Sequence, residues 1–157
     1  MASKMHQTDD ALHVSELIAQ GSSEKGLAAA RETARAAWKR YPTNGCAAHL
    51  SALLQQAGIP VPMTLGAEAL ATVLKNRGWR RIEVTKQTPG DVGVCLDNDQ
   101  SIPGADHIYL VITVASDGNS MTIADNQNWV GDVAVNAPHG RKARGGGRTP
   151  TDYFLRA

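Results

Sequence analysis

The chain has 157 residues and a mass of 16.7 kDa, enough for one domain with a real core and too little for a second domain of ordinary size. Its 16 Lys and Arg nearly cancel 15 Asp and Glu, which excludes a protein built mainly to grip nucleic acid. Hydrophobic residues make up 42% and aromatics only 4%, with 15 glycines, so the core has to come from Ala, Val, Leu and Ile between many tight turns.

The polar residues 1–10 read as a disordered start and lack the basic-then-apolar order of a secretory signal, so synthesis in the cytoplasm is expected. Leu12, Leu17 and Ile18 predict a helix over 11–20, stopped by Gly21. Ser22 and Ser23 are candidate caps for a longer helix with Leu27, Ala30, Ala34, Ala37 and Trp38 along one side, ended by Pro42. The turn 43–45 opens a third helix from Cys46 to Gln56, with Ala47, Leu50, Leu53 and Leu54 as its apolar face. Gly58 ends it, Ile59 to Pro62 must be extended, and a fourth helix follows over 66–76. Strands are expected over 79–84, 91–96, 107–114 and 121–126, the third central and the last two joined by the turn at Asp117-Gly118-Asn119. Residues 139–149 read as a flexible basic loop, either simply solvated or facing an anionic polymer, and 151–155 as a last edge strand. Helices followed by strands predict one α+β domain over 1–157, an antiparallel sheet with helices on one face.

Two cysteines make no disulfide framework, and five scattered histidines (His6, His13, His49, His107, His139) make no structural zinc site. No cofactor or metal is therefore expected. No run approaches the roughly 18 apolar residues of a membrane span. Cys46 stands where a helix begins, and the free N–H groups and partial positive charge there favour thiolate and can hold an oxyanion. His107 starts the strongest strand and is the preferred base, since catalytic Cys and His normally come from separate elements. His49, three residues after Cys46, is its rival. A hairpin centred on Gly118 puts residue 129 opposite His107, so Asp125 shares the His107 face and is the candidate to orient its ring. A slip of one residue puts Asn126 and Asn128 there instead. Cys95, inside a strand, reads as structural.

The order Cys, His, Asp or Asn resembles a family. The stretch Asn44-Gly45-Cys46-Ala47-Ala48-His49-Leu50, continuing to Gly58-Ile59-Pro60, looks like the nucleophile helix of papain-like cell-wall peptidases of the NlpC and CHAP type. It is similar above all to the small amidase effectors of type VI secretion. Pro89-Gly90-Asp91-Val92-Gly93-Val94 and Asp106-His107-Ile108-Tyr109-Leu110-Val111 resemble that family's Pro-Gly-Asp and Gly-His strands, although Asp106 replaces the usual Gly and Ala47-Ala48 follows the cysteine where Ser or Gly is usual. The resemblance covers about residues 40 to 127. It implies a papain-like fold and a bacteriolytic hydrolase of peptidoglycan stem amides, with Cys46 as nucleophile, His107 as base and Asp125 as orienting residue. Asn44 and Asn126 would serve the oxyanion or substrate. It further implies action in the periplasm or wall of a target cell, as a secreted toxin effector or a phage lysin. The expected partners are the peptidoglycan peptide, an immunity protein and a secretion-machine component. A papain-like protease, deamidase or acyltransferase acting on a protein, and a non-enzymatic binding module, remain the alternatives.

Overall fold

The computed structural model describes residues 8–42, 44–96 and 107–157. The first seven residues with His6, Thr43 of the expected turn, and the loop 103–106 ahead of His107 lie outside them. The fold is α+β: four helices, then a six-stranded antiparallel sheet.

A 3-10 turn, Asp10–His13, leads into helix α1, Val14–Ser22. Asp10 is buried, contrary to a disordered start reaching residue 10. Its carboxylate accepts from Arg77 Nη2 at 2.8 Å, Arg77 Nε at 2.9 Å and Trp79 Nε1 at 2.8 Å, which makes burial of the charge tolerable. Ser23 caps α2, Glu24–Ala37, its Oγ accepting from Gly26 N at 2.9 Å. A bond of this kind contributes about 1 kcal/mol. Helix α2 ends at Ala37, short of Pro42. Lys39 and Arg40 add nothing to its apolar side, and the residue before a proline avoids helical backbone angles. Helix α3, Cys46–Gln56, is buried along its length from Cys46 to Leu54. Its Ala47, Ala48, Ser51 and Ala52 are small, so α2 and the sheet can close on it from different sides. Helix α4, Ala67–Asn76, turns Leu70, Ala71 and Leu74 inward.

The strands are β1 (Arg80–Ile82), β2 (Val92–Cys95), β3 (His107–Val114), β4 (Ser120–Ala124), β5 (Trp129–Val130), β6 (Val133–Ala134), β7 (His139–Lys142) and β8 (Tyr153–Arg156). The sheet runs β1-β8-β2-β3-β4-β7, and β5 with β6 forms a separate small hairpin. The C-terminal strand is thus not an edge: β8 lies between β1 and β2. Its apolar Tyr153, Phe154 and Leu155 are all buried, as a strand with neighbours on both sides requires.

Helices α1 to α4 cover one face, packing Leu17, Leu50, Leu53 and Leu74 onto Ile108 and Leu110. The other face carries a second apolar cluster of Cys95, Tyr109, Val111, Ile123, Ala143 and Phe154. Tyr109 fits there because residue 93 is glycine: a Cβ at Gly93 would lie 2.2 Å from the ring Cζ. The expected flexible loop over 139–149 is a strand for its first four residues, because β7 pairs with β4 through Ile123↔His139 and Ser120↔Lys142. Arg141 is buried. Its guanidinium lies 5.0 Å from the Tyr109 ring centre and donates to Thr149 O at 2.8 Å. Lys142, Arg144 and Arg148 remain exposed.

Candidate active site

Helix α3 begins at Cys46 with Gly45 as its N-cap. Only glycine fits there: a Cβ would stand 2.5 Å from Tyr41 Cδ2 and 3.2 Å from Asn126 Nδ2. Asn44, exposed, takes the left-handed backbone at φ 54°, which asparagine tolerates better than most residues. These two residues swing the chain so that Cys46 occupies the first turn, where backbone N–H groups have no helical carbonyl to meet. Cys46 keeps 6% of its surface exposed.

His107 enters from the first residue of β3, and Asp125 lies one residue past the end of β4. Near the hairpin turn the strands pair Val114↔Met121 and Thr113↔Thr122. Continued unchanged, that register would put Asn126 and Asn128 on the face of His107. The pairing shifts at Ile112, where one extra residue makes a bulge, and resumes as Val111↔Ile123 and Leu110↔Ala124. The shift restores Asp125 to the His107 face. His107 Nε2 lies 2.8 Å from Asp125 Oδ2, and Cys46 is near enough to raise the affinity of His107 for its proton. With Nε2 given to the carboxylate, Nδ1 is the nitrogen left for the thiol. The structure therefore brings Cys46, His107 and Asp125 together from a helix, a strand and a strand end.

The charges in this cluster depend on one another. Burial alone would push His107 down. The Asp125 hydrogen bond and charge, with Cys46 nearby, outweigh it and hold His107 up at about 9, against an ordinary 6.5. Burial would raise Asp125, yet the hydrogen bonds from His107 and His139 and their charges hold it well below the usual carboxylate range. His139, which the sequence suggested lay in a loop, opens β7 and places Nε2 2.5 Å from Asp125 Oδ1. Nothing local in the sequence signals this meeting, because it depends on the pairing of β7 with β4.

His49 is fully buried on α3, and neither ring nitrogen meets a partner at hydrogen-bond geometry among the described residues. Burial, with nearby Arg31, drives it down to about 4, although Asp125 and the Leu27 backbone pull the other way. It is not the histidine paired with the carboxylate. Asn126 is also buried, and its Nδ2 donates to Pro42 O at 3.2 Å. Its amide N–H braces the turn before Cys46. The exposed Asn44 carries no such commitment. Beside the cluster, Arg31 donates to Tyr41 Oη at 3.2 Å and to Asn136 Oδ1 at 3.0 Å, with its guanidinium 5.2 Å from the Trp129 ring centre. Cys95 is buried 3.5 Å from Arg141 Nη2, its thiol pushed up by burial.

Among the described residues no group of three His, Cys, Asp or Glu side chains is arranged to hold a metal ion, and no helix is long and apolar enough to cross a membrane. The histidines around Asp125 aim their nitrogens at its carboxylate. What the arrangement can do chemically is move a proton between a thiol and an imidazole whose tautomer a buried carboxylate fixes. No family model, no curated protein and no solved structure matches the chain.

Proposed function

We propose that the protein is a papain-like cysteine hydrolase that cuts amide bonds in the peptide stems of peptidoglycan. The observation that carries the chemistry is the His107–Asp125 pair beside Cys46 at the opening of a buried helix. The wall substrate is supported by the resemblance of residues 44–50, 89–94 and 106–111 to NlpC and CHAP peptidases.

His107 Nδ1 takes the Cys46 proton, and Sγ attacks the amide carbonyl carbon. The C=O electron pair moves to oxygen, giving a tetrahedral oxyanion. The first-turn N–H groups, with that of Cys46 foremost and the exposed Asn44 side chain near it, face that charge. The C–N bond then breaks as His107 returns its proton to the leaving amine, leaving a thioester on Cys46. Water, deprotonated by His107, adds to the thioester carbonyl and expels the Cys46 thiolate, releasing the acid. Throughout, Asp125 keeps the His107 Nε2–H in place and offsets the imidazolium charge. Delivery to the wall of another cell, as an effector or lysin, and an immunity protein in the producer follow from that substrate.

Digestion of purified sacculi tests the reading. The parent protein should release peptide fragments with new amine and carboxyl ends by mass spectrometry, and Cys46→Ala should release none. Intact sacculi after prolonged incubation, with cleavage of a protein substrate instead, would move the assignment to a protease or deamidase on the same site.

A further inference from the structure

We propose that His139 is a positioning residue of this site, clamping the Asp125 carboxylate so that Oδ2 stays on His107. The assignment rests on Cys46 being the nucleophile and extends that reading by one residue.

The Asp125 side chain is wholly buried, so a lost partner cannot be replaced by bulk water. A carboxylate turns about its last torsion in a broad well, and only its hydrogen bonds fix its plane. Oδ2 has His107 Nε2 at 2.8 Å. Oδ1 receives Gln127 N at 2.9 Å and His139 Nε2 at 2.5 Å. An ionised carboxylate only accepts, so both imidazoles must present N–H to it, and each therefore has a fixed tautomer or is protonated. His139 is held by the sheet itself, because its backbone pairs with Ile123, two residues before Asp125. The other titratable or charged groups around the carboxylate are His107 from β3, Cys46 and His49 from α3, Arg31 from α2 and Tyr41 from the turn before α3. Among all of these, only His107 and His139 are in hydrogen-bond contact with the carboxylate in the described residues. Without His139, the Gln127 N–H alone holds Oδ1. The carboxylate then spends part of its time turned away from His107, and the imidazolium that must form beside Cys46 loses its counter-charge.

The rate of Cys46 alkylation by iodoacetamide reads this without any assumption about substrate. It is measured from pH 5 to 9 with peptide mapping to separate Cys46 from Cys95, in the parent, His139→Ala, His139→Gln and His107→Ala, with melting temperatures alongside. His139→Ala should alkylate about tenfold more slowly at neutral pH, as expected for loss of a charge-assisted hydrogen bond. His139→Gln, whose amide N–H can reach the same oxygen, should recover to within about threefold. His139→Ala at the parental rate throughout the pH range would overturn the proposal. So would His139→Gln as slow as His139→Ala in a folded protein, since the donor would then not be what matters. A parent no faster than His107→Ala would instead remove Cys46 as an activated nucleophile, and the clamp would fall with it.

Discussion

Two buried histidines meet opposite fates. His107, at the open end of β3, is buried against Asp125 and Cys46, and its proton is held to about 9. His49, one turn inside α3, is buried beside Arg31 with no hydrogen-bond partner for its ring among the described residues, and its proton is lost near 4. Desolvation penalises the charged form at both places, so partners decide the outcome. An anion within hydrogen-bond reach converts a buried histidine from an inert neutral ring into a proton carrier. The functional end of the molecule is where the helix opening, the β3 start and the β4 end supply those partners together.

The largest expected effect separates the two directly. Cys46→Ala and His107→Ala should each lower hydrolysis at least about a thousandfold while the proteins remain folded. His49→Leu should leave turnover nearly unchanged and raise the melting temperature by a few degrees, because it removes an unpartnered buried polar group costing about 1–3 kcal/mol. A dead but folded His49→Leu would make His49 part of the chemistry. Next in size is Asp125→Asn. His139 and Gln127 should keep the amide oxygen, so the amide N–H₂ would face His107 Nε2 and force the other tautomer on it. Turnover should fall at least about a hundredfold. Activity close to the parent's would mean that Asp125 does not set the tautomer. A smaller effect concerns the basic stretch. Arg141→Ser should lower the melting temperature by several degrees, since about 1–3 kcal/mol of ring and hydrogen-bond contacts is removed. Lys142→Ser and Arg148→Ser together should shift it by a degree or so. Equal shifts would contradict the burial of Arg141.

The sequence carried the ends of α3 and the β3 run because these rest on local signals: the Asn44-Gly45 turn before Cys46, Gly58 after α3, and eight β-prone residues from His107 to Val114. Asp125 could be placed because strand alternation has period two, so a register wrong by two residues still names the right face. The bulge at Ile112 that produces this parity carries no sequence mark. His139 and Arg141 were hidden for a different reason. Their surroundings are made by β7 meeting β4 and by Tyr109, contacts between residues far apart in the chain, while the nearby glycines suggested only a mobile loop. Likewise, β8 enters the middle of the sheet through pairings with β1 and β2 that no local pattern announces.

Whether Cys46, His107 and Asp125 share one proton network can be read from a titration of the histidine ring nitrogens by NMR. Since His107 rises from 6.5 to about 9 on folding, its pairing stabilises the fold fully below pH 6.5 and is lost as pH rises through 9. His107 should remain protonated through neutral pH and release its proton near 9, with His49 uncharged until about 4. In Cys46→Ala the His107 transition should move down, because Cys46 is one of the influences that raise it. A His107 transition at or below 6.5 in the parent, unchanged in Cys46→Ala, would show that no such network exists.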